Sequence, residues 1–239
     1  MINTIIPAIA SVISVIFAII TLDQYLSNRK PYKLVWFFGL LLYFIGTGCA
    51  FLIELNGLNS IVYRLWYICG ATLVAAYLGM GTIYLLAPRR IAHIIMVILG
   101  LASISAIVLI STASVDFHLL PESGLLLSGN ALPQSIRLLT PFFNVFGTIA
   151  LVGGAAYSAW HYWSRRIMRQ RVLSNILIAV GAVLPAVGGL VSRYGYPSLL
   201  YWSQLLGIVL IFAGFLSNYE VFDLTRLRRI YLWRRHRQD

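Results

Sequence analysis

Long apolar runs alternate with short polar gaps along this chain, and the length of each run limits what it can become. A helix rising ~1.5 Å per residue needs roughly 20 apolar residues to cross ~30 Å of hydrocarbon. Seven runs reach that length: Ile5 to Tyr25, Leu34 to Leu55, Ile61 to Leu86, Ile91 to Ser111, Leu138 to Trp163, Val172 to Val191 and Leu199 to Phe222. The pattern predicts an all-α polytopic membrane protein: a bundle of seven transmembrane helices over residues 1–222 and a basic amphipathic tail over 223–239. All connections but one are short, which makes consecutive helices antiparallel neighbours. The first run has no basic segment before it and no small-residue cleavage site after it, so it is expected to stay as a helix.

Charge adds an orientation. Fifteen of the eighteen Lys and Arg residues fall in alternate gaps: Arg29, Lys30 and Lys33, then Arg89 and Arg90, then Arg165, Arg166, Arg169 and Arg171, then six arginines from Arg226 to Arg237. Only Arg64, Arg137 and Arg193 lie in the others. Basic loops are retained on the cytoplasmic face, so the expected arrangement is multi-pass in the cell membrane, N-terminus outside and C-terminus inside. A composition of 60% hydrophobic and 10% charged residues excludes an ordinary soluble domain. The net charge of +11 is accounted for by this topology and by anionic lipid, and does not call for nucleic acid.

The long connection, Thr112 to Arg137, contains Pro121, Gly124, Gly129, Asn130 and Pro133 around the patch Leu125, Leu126 and Leu127. Two readings are open for it: a hairpin or lid over the outer mouth, or a disordered link. An internal echo accompanies it. Gly39 and Gly46 recur as Gly181 and Gly188 at the same spacing, Trp66 and Gly70 as Trp202 and Gly207, and Pro7 as Pro141. The echo points to a parallel 3+1+3 repeat in which the fourth helix is the inverting linker.

This outline resembles three seven-helix groups in topology, namely opsins, G-protein-coupled receptors and SWEET-type sugar transporters. The residues that carry their functions are replaced here. The only lysines, Lys30 and Lys33, lie in the first inner loop rather than in the last helix, where retinal would need one. Ala87, Pro88, Arg89 and Arg90 stand where receptors carry an acidic-arginine-aromatic triplet, and Asn218, Tyr219 and Glu220 where they carry Asn-Pro. The Pro133–Gln134 pair falls in the outer loop, not inside a helix. The resemblance is one of topology and transfers no functional residue.

Every Asp, Glu, Arg or His within a span lies near its end, leaving the midplane uncharged. Ion-coupled carriers, voltage sensors and intramembrane hydrolases keep ionisable groups at depth, so catalysis is the lesser expectation, with an enzyme acting on lipid as the third reading. In the outer half, Glu54 and Arg64 flank a turn of Asn56, Gly57 and Asn59 and are expected to form a salt bridge. Asn144 and Gln204 lie at similar depth, with Trp66, Trp202, Tyr194 and Tyr196 near the same level. Together Glu54, Arg64, Asn144, Gln204, Trp66 and Trp202 form a candidate ligand pocket. An interfacial aromatic belt with interhelical amide bonds has the same composition.

Asp23, His93, His161, Asn218, Glu220 and Asp223 gather at the inner rim, and Asp116, His118 and Glu122 in the outer loop. Neither set has a strong metal-ligand spacing, so no metal or cofactor is expected. Cys49 and Cys69 read as buried thiols packed as small apolar groups. Pro185 is expected to kink the sixth helix and free a carbonyl. In the tail, Leu224, Leu227, Ile230 and Tyr231 recur at helical spacing among arginines, the pattern of an interfacial helix on anionic lipid. No soluble output domain fits there, so a signal would pass to a membrane-protein partner. The functional expectation is a small-ligand or lipid sensor, or a subunit of a larger membrane assembly; the alternative is a facilitative transporter of a small neutral solute. Compartment-dependent reporters fused to the two ends should give opposite readings. Matching readings would remove the odd number of crossings on which this topology depends.

Overall fold

The computed structural model describes residues 2–120, 127–165, 169–192 and 198–217. Seven helices in it are long and apolar enough to cross a membrane. They are α1 (Ile2–Asn28), α2 (Pro31–Asn56), α3 (Ser60–Leu86), α4 (Arg89–Thr112), α5 (Gln134–Ser164), α6 (Arg169–Ser192) and α7 (Ser198–Leu216). Each expected span coincides with one of them to within a few residues, and no strand occurs among the described residues. The last residues of the expected seventh span and the whole basic tail lie outside the described residues.

Local chemistry sets the breaks. Arg29 takes a positive φ of 50°, and Pro31 then opens α2, where its missing N–H costs nothing. Gly57, at φ +86°, ends α2 in a backbone region that side chains with a Cβ avoid. Asn59 then caps α3, its Oδ1 accepting from the backbone N–H of Ile61 at 2.9 Å and of Val62 at 3.3 Å. Pro88 in extended backbone precedes α4.

Six helices close a ring: α1 packs on α2, α2 on α3, α3 on α5, α5 on α6, α6 on α7, and α7 on α1. Helix α4 stands outside, resting on α3 alone among its substantial contacts. Its outer face is bare, with Ile94, Val97, Ile98, Leu101 and Ile104 all more than 60% exposed. Phe142 at 75% and Ile149 at 67% continue that apolar surface on α5. Exposed apolar area on this scale is what a lipid-facing helix presents and exceeds what a soluble monomer carries.

Three of the six ring contacts, α2–α3, α3–α5 and α6–α7, are made at glycines. A Cβ on Gly46 would sit 2.5 Å from the Gly70 Cα, so α2 and α3 cross backbone to backbone. A Cβ on Gly147 would lie 2.2 Å from the carbonyl carbon and oxygen of Ala75, fixing the α3–α5 crossing. Gly181 and Gly207 face each other's carbonyls across α6–α7, each 2.7 Å from where the other's Cβ would be. Lipid tails are as apolar as Leu, so close backbone approach and dispersion must hold such helices together. The echoed glycines are used differently in the two halves: Gly46 meets Gly70, whereas its counterpart Gly188 meets Ser203, and Gly181 meets Gly207.

Helix α3 is not uniform. Tyr67–Leu73 forms a π-helical segment, and the Val74 N–H reaches back five residues to the Cys69 carbonyl. Wide turns of this kind disturb the regular carbonyl ladder and concentrate at functional sites. Cys49 and Cys69 are both free and buried, as small apolar packing groups.

Gly147→Ala should destabilise the protein by roughly 1–3 kcal/mol, because the clash is with backbone that cannot rotate away. Gly153→Ala, at a position with nothing within 4 Å, should change stability little. Thermal unfolding of both variants in one detergent checks the contrast, and equal losses would remove the close-approach account.

Candidate functional site

The ring does not fill its own centre. At the end bearing the long connection, here termed the loop end, α2, α3, α5, α6 and α7 surround a cavity of about 840 Å³. The size lies within the ~300–1,000 Å³ of small-molecule pockets. The other end, carrying Arg29, Arg89 and Arg165, is the arginine end.

One face of each helix supplies the lining. On α5 the lining residues Arg137, Thr140, Asn144, Thr148 and Leu151 recur every three or four positions, one stripe of a helix. Tyr67, Gly70, Ala71, Val74 and Leu78 form the facing stripe on α3. Polar groups gather at the loop end and give way to Val74, Leu78, Leu151 and Ile211 with depth. Toward the arginine end, Phe17, Leu40, Phe212 and Phe215 pack the bundle interior, with Phe17 against both Phe212 and Phe215.

The π-helical segment belongs to this wall. Asn144 donates its Nδ2 to the Ala71 carbonyl at 3.0 Å, a side chain bonding backbone inside the widened turn. Thr140 donates to the Tyr67 hydroxyl oxygen at 2.9 Å, and Thr72 Oγ1 lies 3.3 Å from Thr140 Oγ1. These bonds bind α3 to α5 and satisfy groups that would otherwise be costly to bury.

The described part of the long connection packs onto this end. Leu127, Ala131 and Leu132 are buried, and Asp116 N–H donates to the Ala131 carbonyl at 2.9 Å, joining the two ends of the long connection. The Tyr63 hydroxyl donates to the Ser128 carbonyl at 2.6 Å from inside an aromatic cluster with Trp66, Tyr67 and Phe117. Gly129 sits where a Cβ would be 2.8 Å from the Tyr67 ring. Residues Leu127 to Asn130 therefore form part of the cavity wall, so the described part of the connection is packed on the bundle rather than a disordered link.

Of the six residues expected from sequence, Trp66, Asn144 and Gln204 line the cavity. Glu54 stands behind it, accepting from the Tyr201 hydroxyl at 2.9 Å, while Tyr201 itself lines the wall. Arg64 and Trp202 are not in the wall. Trp202 is 43% exposed and its neighbour Tyr201 only 2%, since consecutive helical residues point about 100° apart. The expected Glu54–Arg64 salt bridge does not form. Arg64 turns instead toward α4, donating through one Nη to the carbonyls of Ile110 at 2.5 Å and Ser111 at 2.8 Å. Those carbonyls end a helix and have no donor of their own, so a guanidinium satisfies them well. Tyr194 and Tyr196 lie outside the described residues.

The rim candidates separate as well. His93 pairs with the Tyr84 hydroxyl at 2.9 Å, and His161 stacks on Tyr157 with ring centroids 6.2 Å apart. Asp116 accepts from the His118 backbone N–H at 3.0 Å and caps a short turn. No three of His, Cys, Asp or Glu come together among the described residues. Asn218, Glu220, Asp223 and Glu122 lie outside them.

Sequence reasoning missed Arg137, Tyr43, Tyr67, Thr140 and Tyr201 as wall residues. The α5 stripe was readable as a periodicity of polar positions. Tyr43 was not: its hydroxyl crosses the bundle to the Gln204 carbonyl at 2.7 Å, a partner 161 residues away.

No protein family, curated protein or solved structure matches this chain.

A double-mutant cycle separates the two expectations for Glu54. Glu54→Gln with Tyr201→Phe should couple by roughly 0.5–3 kcal/mol, whereas Glu54→Gln with Arg64→Gln should be additive within about 0.5 kcal/mol. Strong coupling in the second pair would restore the salt bridge.

Proposed function

We propose that this protein works by binding: it holds a small ligand or lipid in the loop-end cavity, as a sensor or as a ligand-carrying subunit of a larger membrane assembly. The carrying observation is a pair of polar side chains in the wall. Gln204 and Arg137 both line the cavity, and neither side chain makes a hydrogen bond among the described residues. Polar groups in a largely apolar wall need water or a ligand as partner, and a few such groups in a mostly hydrophobic lining characterise ligand pockets. The uncharged midplane favours binding over chemistry.

On this reading the protein sits in the cell membrane with its loop end outside, so the ligand enters from the exterior or the outer leaflet. The basic tail then meets anionic lipid on the inner face, and a membrane-protein partner receives the signal. The bare apolar face of α4 is compatible with either lipid or such a partner.

A facilitative transporter is the second reading. The ring order, with α4 outside it, is compatible with a 3+1+3 repeat in which α4 is the linker, as any six-helix ring in chain order would be, and such repeats carry substrate between their halves. Against it stand the shifted glycine contacts and the packed interior toward the arginine end.

The test is extraction of the full chain with its surrounding lipid, followed by mass spectrometry of retained small molecules. A retained species should be lost in Ala186→Trp, which fills the cavity from an exposed alanine of its wall. Retention unchanged by that substitution would sink the pocket. Flux of neutral solutes into liposomes bearing the protein would transfer support to the transporter.

A further inference from the structure

The binding reading leaves the class of ligand open, and the wall narrows it. Arg137 stands in the first helical turn of α5, half-buried and part of the lining. A guanidinium stays protonated in any protein environment, so this wall carries a fixed positive charge. Among the described lining residues there is no carboxylate to neutralise it. Glu54, bonded to the wall residue Tyr201, already accepts from its hydroxyl. Arg137 itself has no hydrogen bond or ion pair among the described residues, although its five N–H donors sit in a fixed fork suited to an anionic oxygen pair. The Gln204 amide adds a second unengaged group at the same end, and apolar side chains line the deeper part.

We propose that the ligand is an anionic amphiphile whose head pairs with Arg137 and whose apolar tail runs down past Val74, Leu78, Leu151 and Ile211. This rests on the binding reading. Two sources supply that chemistry, a free single-chain carboxylate and an anionic phospholipid of the surrounding bilayer. A neutral solute would leave the guanidinium without a counter-charge among the described residues of this half-buried site, and a cation would be repelled by it.

The experiment measures binding of radiolabelled laurate to the full-length protein in neutral phosphatidylcholine nanodiscs, with empty discs subtracted. Unlabelled laurate should compete about tenfold better than dodecanol, a difference of about 1.4 kcal/mol. Dodecylammonium should compete no better than dodecanol. Arg137→Gln should abolish the preference for laurate, and Arg137→Lys should keep part of it, since charge remains while the fork geometry is lost. The lysine variant guards against a glutamine variant that fails to fold. Phosphatidylglycerol in the discs that displaces laurate would name the bilayer lipid as the source; undisturbed binding would name the free amphiphile, and either supports an anionic ligand. Equal competition by laurate and dodecanol, or a preference that survives in Arg137→Gln, overturns the proposal. If the Ala186→Trp comparison shows a retained molecule while laurate fails to bind saturably, the anion is lost and the pocket stands. If both fail, the binding reading is lost with it.

Discussion

Backbone-to-backbone contact at glycine is the constraint that sets three of the six interfaces of this bundle, α2–α3, α3–α5 and α6–α7. In lipid the helices gain nothing by hiding apolar side chains from water, so they hold where they can come closest. Gly46 against Gly70, Gly147 against Ala75 and Gly181 against Gly207 supply those points. Each lies along a helix rather than at its end, and Gly79 against the Gly147 carbonyl and Gly214 against the Ser174 carbonyl continue the close approach toward the arginine end. Toward the arginine end the interior is filled by Phe17, Leu40, Phe212 and Phe215. Toward the loop end it is left open and becomes the cavity.

The polar bonds then act as fasteners on this frame. Tyr43 and Tyr201 tie α2 to α7 at two heights, through the Gln204 carbonyl and Glu54. Asn144 and Thr140 tie α5 to the wide turn of α3. Helix α4 is held from α3 by the Arg64 cap, by Tyr77 to Ser103 at 3.4 Å and by Tyr84 to His93. The charged and amide groups of the loop end are thus divided between fastening and facing the cavity. Arg64 fastens; Arg137 faces inward.

Span positions were legible because a twenty-residue apolar run has only one outcome in a bilayer, and the turn at Gly57 was marked by Asn56 and Asn59 beside it. Half of the candidate site was legible too, since Trp66, Asn144 and Gln204 were found by depth alone. Depth does not give azimuth. It placed Glu54 beside Arg64 correctly in height, but they point to different neighbours, α7 for one and α4 for the other. It likewise credited Trp202 with the position that Tyr201, one residue earlier, occupies. The ring order and the π-helical turn depend on contacts between residues far apart in sequence, and no local pattern encoded them.

Placing α4 outside the ring also gives the bundle an electrical polarity. Within the ring, α1, α3, α5 and α7 begin at the loop end, whereas only α2 and α6 finish there. Each helix start carries roughly half a positive elementary charge and each finish half a negative one, so the six macrodipoles leave about one uncancelled positive charge over the mouth. An even split of rising and descending helices would have erased it. The parity of the chain therefore sets an electrostatic field at the entrance that no single side chain provides.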